Sequence, residues 1–271
     1  MALRILTAIS PSLASRLLTR VWFTPPRAPL RADARARLTE GTSLSLALDG
    51  RRFAAWSFGS GPAVLLVHGW GGHAGQLVGF IAPLVERGYR VVTFDALGHG
   101  QSSNSALGRR QGSFVEVAAV MRVIVDAVGP IHAVVAHSGG AISTGIALSN
   151  GLGVGRVVLL APMTRPSLYA ERFGRWLGLG VALGDAWQQR AGERVGFRWA
   201  DLDLHTAADR FTPPPVLVVH DRGDKEVPLA DGQAVADSWP EASMVETTGL
   251  GHRRILHDAA VIARVAEFIA P

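Results

Sequence analysis

The stretch Ile131-His-Ala-Val-Val-Ala-His-Ser138-Gly-Gly140 decides the fold of this 271-residue chain. Its apolar first part is typical of a strand buried on both faces, and Ala141 to Ser149 continues as a helix. A serine between such a strand and helix stands on a very sharp turn, which needs small neighbours two residues before and after it. Ala136 and Gly140 meet this need, so the hydroxyl of Ser138 is predicted to stand clear of the sheet; the alternative is an ordinary strand-to-helix turn.

On both sides of this turn the sequence predicts strands that alternate with helices. Such alternation predicts a doubly wound, mostly parallel α/β sheet with right-handed crossovers. Two alternating stretches, Thr42–Leu48 and Arg52–Phe58, flank Asp49-Gly50 and predict an antiparallel hairpin that opens the sheet. The predicted strands are Ala63–Val67, Arg90–Phe94, Ile131–Ala136, Arg156–Ala161, Pro215–His220 and Ser243–Thr247, and the predicted helices are Leu77–Val85, Val117–Val128, Ala141–Ser149, Ala230–Ser238 and Val261–Ile269.

The alternation stops between Pro162 and Pro214, where no clear strand pattern exists. We interpret this segment as a helical insertion, because the buried-strand pattern resumes directly after it. The predicted organisation is an N-terminal helical extension over 1–41, a core over 42–161 and 215–271, and the insertion over 162–214. The aromatic residues of the insertion are Tyr169, Phe173, Trp176, Trp187, Phe197 and Trp199.

The segment from Met1 to Phe23 mixes apolar residues with arginines and fits a signal peptide, a membrane-surface helix or a helix packed on the domain. Ser10-Pro11-Ser12 interrupts its apolar run well short of the ~20 residues that span a bilayer. We therefore expect packing on the domain, with membrane-surface contact as the less favoured alternative. The apolar residues of this segment are Leu3, Ile5, Leu6, Ile9, Leu13, Leu17, Leu18 and Val21.

The composition excludes several classes of function. Hydrophobic residues make up 48% and charged residues 18%, which favours a large packed core over disorder. The net charge of +5 comes from scattered arginines without a basic run, so no nucleic-acid partner is expected. The chain has no cysteine, which excludes disulfides and thiolate chemistry and is compatible with a cytoplasmic location. We expect no metal and no cofactor; Gly151–Gly155 resembles a nucleotide fingerprint but lies between a helix and a strand, in the wrong order.

A second glycine-rich stretch, His68-Gly-Trp-Gly-Gly72, follows the predicted strand that ends at Val67. Glycines at this place let a loop approach the serine closely and present a backbone N–H. The N–H groups of Trp70 and Gly139 are therefore predicted to form an oxyanion hole, a pair of donors that stabilises negative charge on a carbonyl oxygen. The alternative is an ordinary glycine-rich connection between a strand and a helix.

A catalytic triad also needs an acid and a histidine that reach the serine from loops at the same edge of the sheet. Two acids follow the strand that ends at His220. We prefer Asp224, which lies beyond the strand end, to Asp221, which lies at its edge. His252 alone combines the chain order Ser, Asp, His with a loop directly after the last predicted strand. The rival histidines are His99, His137 and His257.

Four motifs in this order resemble the α/β-hydrolase superfamily from about Thr42 to the C-terminus. Ala136 stands where the family's G-x-S-x-G pattern has its first glycine, but it keeps the small size. The motifs are His68-Gly69-Trp70-Gly71-Gly72, Asp95-x-x-Gly98-His99-Gly100-x-Ser102, Ala136-His137-Ser138-Gly139-Gly140, and the segments of Asp224 and His252.

The resemblance implies a serine esterase that binds a small-molecule ester, with the insertion as a lid over the active site. Serine rather than aspartate at position 138 argues against the family's dehalogenase and epoxide-hydrolase branches. Thioesters, lactones and peracids remain as alternative substrates or products of the same triad. A ligand receptor or scaffold on the same fold is the alternative of another class. The sequence leaves the oligomeric state open.

Overall fold

The computed structural model describes residues 10–270 and contains a ten-strand, ten-helix arrangement in which strands alternate with helices. The strands are β1 Thr42–Ser43, β2 Leu46–Leu48, β3 Arg51–Phe53, β4 Ala55–Phe58, β5 Ala63–Val67, β6 Arg90–Phe94, β7 Ile131–His137, β8 Val154–Leu160, β9 Val216–Asp221 and β10 Ala242–Thr247. The helices are α1 Pro11–Trp22, α2 Ala32–Thr39, α3 Ile81–Val85, α4 Phe114–Val128, α5 Gly140–Ser149, α6 Pro166–Trp176, α7 Val181–Val195, α8 Leu229–Ser238, α9 Gly251–Arg254 and α10 Ala259–Ile269.

Eight strands form one sheet in the order β1-β4-β6-β5-β7-β8-β9-β10. The pairs from β6 to β10 are parallel, and β4 pairs antiparallel with both β1 and β6. This order confirms the predicted α/β fold, with an antiparallel start and a mostly parallel remainder. Because β5 and β7 lie in the centre, the turn after β7 stands at the middle of the carboxyl edge of the sheet.

The central strands are mostly apolar because both faces of the sheet are covered. On β5, Val64 and Leu66 pack into one core cluster, and Leu65 and Val67 pack into the other. All four side chains are fully buried. Burying such a side chain contributes about 1.5–3 kcal/mol, so the two cores hold the sheet rigidly beneath its carboxyl edge.

The predicted hairpin forms, but it divides between two sheets. β1 pairs with β4 in the main sheet, whereas β2 and β3 pair only with each other. The two residues between β2 and β3, Asp49 and Gly50, both have positive φ, as a type I′ hairpin turn requires.

The predicted helix over Leu77–Val85 is shorter than the pattern indicates. Two short 3₁₀ turns, Ala74–Gln76 and Val78–Phe80, precede α3, which covers only Ile81–Val85. Pro83 offers no backbone N–H and disfavours a helical conformation in the residue before it, which accounts for the late start.

The segment between β8 and β9 contains α6, α7 and two 3₁₀ turns, Trp199–Leu202 and Leu204–Asp209. α1 packs on this segment, with Leu18 buried and Trp22 in edge-on contact with Phe173, Trp187 and Trp199 at ring-centroid distances of 5.3–5.4 Å. Residues 1–9, which include the predicted apolar positions Leu3, Ile5, Leu6 and Ile9, lie outside the described residues. No helix within residues 10–270 is long and apolar enough to cross a membrane.

Two buried histidines connect the loops that follow β5 and β6. His68 donates from Nδ1 to the carbonyl oxygen of Gly69 at 2.8 Å and accepts at Nε2 from the N–H of Ala96 at 3.0 Å. His99 donates from Nδ1 to the carbonyl oxygen of Leu97 at 3.1 Å. Burial lowers the pKa of His68 to about 4 and that of His99 to about 3, so both rings are neutral in the folded protein.

These two histidines make the free energy of unfolding depend on pH. Their pKa values in the fold lie below the ordinary value of about 6.5, so unfolding takes up protons and stability falls as the pH drops below about 6.5. Each ring is expected to cost about 2 kcal/mol at pH 5. The free energy of unfolding is measured by urea denaturation at several pH values below about 6.5. Its slope against pH, which counts the protons taken up on unfolding, should be smaller by about one proton in His99→Gln than in the native chain. An unchanged slope would contradict this explanation.

Candidate active site

Ser138 occupies a left-handed turn between β7 and α5. Its φ is 52°, a conformation that costs a residue with a side chain about 1–2 kcal/mol. Its N–H donates to the carbonyl oxygen of Leu160 at the end of β8 at 3.0 Å. A Cβ atom on Gly140 would lie 2.8 Å from the carbonyl oxygens of Val67, at the end of β5, and of His68, so only glycine fits the start of α5. The backbone therefore presents the Ser138 hydroxyl at the carboxyl edge of the sheet.

The structure brings together Ser138, His252 and Asp224, which follow β7, β10 and β9 respectively. The hydroxyl of Ser138 lies 3.0 Å from Nε2 of His252, and Nδ1 of His252 lies 2.7 Å from Oδ2 of Asp224. The Asp224 contact requires the proton on Nδ1, which leaves Nε2 free to accept the serine proton. Ser138 is 7% exposed and His252 is 8% exposed, so the chain of contacts is largely shielded from water.

The carboxylate of Asp224 is oriented from two sides. Its Oδ1 accepts the N–H groups of Glu226 at 2.8 Å and Val227 at 2.9 Å. Burial disfavours its charged form, but the hydrogen bonds from His220, His252 and the Val227 N–H outweigh burial and lower its pKa below the usual range. Asp224 is therefore a fixed anion beside His252.

Asp221 performs a different task from Asp224. Its Oδ2 accepts the hydroxyl of Thr247 and the N–H of Leu250, both at 2.9 Å, and its Oδ1 accepts the N–H of Gly223. Burial opposes ionisation, yet these donors lower the pKa of the carboxyl. Asp221 thus ties the end of β9 to the loop that leads from β10 to His252, and it does not contact the imidazole.

Two histidines that the sequence reasoning did not assign to the site support this arrangement. His137 donates from Nε2 to the carbonyl oxygen of His252 at 3.0 Å, and the two rings lie 4.7 Å apart. Burial, with the neighbouring His252, lowers the pKa of His137 to about 3, so the ring is neutral. His220 donates to the carbonyl oxygen of Val227 at 3.1 Å, with the same nitrogen 3.5 Å from Oδ2 of Asp224. Their positions at the carboxyl ends of β7 and β9 were the available signal.

The other two rival histidines lie away from the serine. His99 is buried on the loop after β6 and packs edge-on against Trp70. His257 is exposed before α10.

The two predicted oxyanion donors lie side by side next to Ser138. A Cβ atom on Gly139 would stand 3.4 Å from the nitrogen of Trp70, and one on Gly69 would stand 2.9 Å from Cβ of Ser138. Within residues 10–270, the N–H groups of Trp70 and Gly139 have no hydrogen-bond acceptor. Two unpaired donors at the start of α5 can stabilise a developing negative charge.

An apolar cavity of about 460 Å³ adjoins these donors. Trp70 and Phe114 line the cavity and also lie next to Gly139. Met163 lines the cavity too, and its N–H donates to the carbonyl oxygen of Ser138 at 3.2 Å. In the part of the chain that the structure describes, no cluster of three potential metal ligands occurs. The cavity is lined mainly by α1, α6 and α7 and the segments after them, through Val21, Trp22, Phe23, Thr24, Pro166, Tyr169, Phe173, Trp176, Gly192, Val195, Phe197, Trp199 and Leu202.

Comparison with known proteins places the chain among proteins of related sequence and structure. It is 50% identical over 44 residues to pimeloyl-[acyl-carrier protein] methyl ester esterase of Methylococcus capsulatus, which covers 16% of this chain and 17% of that protein. It is 26% identical over 143 residues to a non-heme haloperoxidase of Rhodococcus erythropolis, which covers 53% and 52%. The matches thus span about half or less of these curated relatives.

The fold is shared with solved structures. The esterase Est1E from Butyrivibrio proteoclasticus with bound ferulic acid superposes with a TM-score of 0.65 at 20% identity, over 83% of this chain and 96% of that one. The family model described as alpha/beta hydrolase fold matches residues 62–254, the greater part of the chain. The motifs, the sheet order and this match together establish that the chain belongs to the α/β-hydrolase family.

Proposed function

We propose that this protein is a serine hydrolase of carboxylic esters, with Ser138 as nucleophile, His252 as general base and Asp224 as the acid that orients the histidine. The observation that carries the proposal is the continuous chain of contacts from the serine hydroxyl through the imidazole to a buried carboxylate. An alcohol needs such a base to become a nucleophile near neutral pH.

The proposed reaction has two halves. His252 takes the proton of Ser138 at Nε2 while Oγ attacks the ester carbonyl, and the N–H groups of Trp70 and Gly139 stabilise the oxyanion. When the tetrahedral intermediate collapses, the imidazolium gives its proton to the leaving alcohol and an acyl-serine remains. Water, deprotonated by His252, then releases the carboxylic acid and restores the hydroxyl. One oxyanion donor is worth about 10²–10³ in kcat, which makes both N–H groups substantial contributors.

The adjoining cavity supports a substrate with an apolar acyl or alcohol group. Its wall is mainly aromatic and aliphatic, with Arg172 also lining it, and a volume of about 460 Å³ suits a small to medium molecule. We assign the insertion over 162–214 the role of a lid, since α6 and α7 form much of this wall. Thioester hydrolysis, lactone hydrolysis and peracid formation use the same acyl-enzyme, so a panel of such substrates is needed to separate them.

Removing the nucleophile should abolish turnover. Ser138→Ala is expected to lower kcat for p-nitrophenyl esters by at least about 10⁴-fold and to eliminate burst release of p-nitrophenol. A fluorophosphonate probe should label the native chain and leave the variant unlabelled. Equal turnover by both proteins would overturn the assignment of Ser138, and a folded native chain that neither reacts nor labels would favour a ligand receptor.

Substitutions of Asp224 and Asp221 should affect different properties, kcat in one case and the free energy of unfolding in the other. Asp224→Asn is expected to lower kcat by about 10³–10⁴-fold, because an amide does not stabilise the imidazolium or fix its tautomer. Asp221→Asn should instead lower the free energy of unfolding by about 1–3 kcal/mol, because buried donors lose a charged acceptor. Measuring kcat on protein verified as folded decides the matter. A greater loss of kcat in Asp221→Asn would reverse the two roles.

The wall contributed by α1 should control substrate size. Trp22→Ala removes an indole that lines the cavity, so kcat/KM is expected to shift by about tenfold in favour of bulkier p-nitrophenyl esters over acetate. Trp22→Phe keeps an aromatic ring and should lie between the two. The shift is measured by plotting kcat/KM against acyl chain size, at ester concentrations low enough that no micelles form. Parallel profiles for the three proteins would place the substrate elsewhere.

A further inference from the structure

The exposed large apolar side chains of residues 10–270 are concentrated on one part of the molecule. They lie on α1, at the end of α6 and at the start of α7, and none lies on the sheet or on the helices that cover it. They are Leu13, Leu17, Val21, Trp176 and Val181, which we call the apolar surface.

α1 has two faces that differ in environment. Ala14 and Leu18 are buried, Leu18 against the insertion, whereas Leu13, Leu17 and Val21 recur at every fourth residue on an exposed strip of the helix and are 53%, 46% and 51% exposed. Packing on the domain therefore uses only one face of the helix. The other face keeps a continuous apolar stripe in contact with water, which is unfavourable unless something covers it.

The apolar surface adjoins the mouth of the cavity. Val21 and Trp176 are exposed and at the same time line the cavity beside the Ser138 turn. Trp176 is 80% exposed and Val181 is 81% exposed, so the patch continues from α1 across the insertion. If an apolar phase covered this surface, an apolar molecule could pass from that phase into the cavity without crossing water.

The charged residues of α1, beside the apolar stripe, are all positive. Arg16 and Arg20 lie on the exposed side of α1, next to the apolar stripe, and α1 contains no acidic residue. In the described part of the chain neither arginine forms an ion pair. α6 adds Arg172 and Arg175, the latter 3.5 Å from Glu171. A second copy seated symmetrically on this surface would bring arginines against arginines, which disfavours self-association.

We propose that the apolar surface docks on an anionic lipid bilayer, with leucine, valine and tryptophan side chains among the acyl chains and the arginines at the phosphate level. A helix with an apolar stripe, a basic flank and a nearby tryptophan is suited to lie in such an interface. The orientation would place the mouth of the cavity against the lipid. Where the proposed ester hydrolysis holds, the substrates would be esters dissolved in the membrane.

Vesicle binding tests this proposal independently of catalysis. The protein used is the full chain carrying Ser138→Ala, so that no lipid is hydrolysed, and co-sedimentation is measured with phosphatidylglycerol–phosphatidylcholine vesicles and with phosphatidylcholine alone. Binding is expected to be stronger on the anionic vesicles and to weaken with added salt. Leu13→Ser with Leu17→Ser should lower the partition coefficient at least about tenfold.

Charge variants provide a matched comparison. Arg16→Glu should lower partition into anionic vesicles about tenfold, since an attraction becomes a repulsion. Arg87→Glu, an exposed position beside the amino end of β6 at the opposite edge of the sheet, should leave partition unchanged. In the chain with Ser138 intact, the leucine variant should keep its hydrolysis of a short soluble ester, which verifies the fold.

Three results would overturn the proposal. The first is that the Ser138→Ala protein does not partition into anionic vesicles. The second is that the variant with Leu13→Ser and Leu17→Ser partitions as well as the Ser138→Ala protein. The third is that the Ser138→Ala protein is a dimer in solution and the leucine substitutions dissociate it. The last result would make the face an interface between copies. A protein that binds vesicles but hydrolyses no ester would refute the proposed function and leave the docking surface standing.

Discussion

The left-handed turn at Ser138 is the constraint on which the surrounding structure depends. Its backbone conformation is unfavourable for a residue with a side chain, so neighbouring elements must hold it in place. The carbonyl oxygen at the end of β8 accepts its N–H, and the N–H of Met163 donates to its carbonyl oxygen. The turn packs so closely that positions 69 and 140 have no room for a side chain and are glycines. The order of the central strands and the positions of these glycines follow from the requirement to stabilise this single turn.

Two buried histidines, His137 and His220, connect this turn to the residues that face the serine. His137 fixes the backbone of His252 through its carbonyl oxygen, and His220 lies between Asp224 and the Val227 carbonyl. The neutral imidazole of His137 suits this task because it donates one hydrogen bond without bringing a further charge beside His252. The carboxylate of Asp224 acts mainly on His252, whereas the buried carboxylate of Asp221 accepts hydrogen bonds from the loop.

Much of the fold could be predicted because its signals are local. Unbroken apolar runs identify the strands covered on both faces, and the order of motifs along the chain indicates Ser138, Asp224 and His252 as candidates. The roles of His137 and His220 could not be read in this way, because their partners are backbone carbonyls chosen by loop geometry. The division of the hairpin between two sheets and the edge-on packing of Trp22 on Trp187 likewise depend on tertiary contacts that no local pattern encodes.

Under the proposed function, the chemistry and the choice of substrate rest on different parts of the chain. Ser138 and Asp224 follow β7 and β9, whose side chains are largely buried. His252 follows β10, a partly exposed edge strand, and is held by its contact with Asp224 and by the hydrogen bond from His137 to its carbonyl oxygen. The cavity is instead walled by α1 and the insertion, which are joined to each other through Trp22, Phe173, Trp187 and Trp199. Because these aromatic contacts do not involve the sheet, the wall can change in sequence while the reacting geometry stays constant. The N-terminal segment lies before the region that matches the family model, yet it lines the cavity, so an account of specificity limited to the family region would omit one side of the pocket.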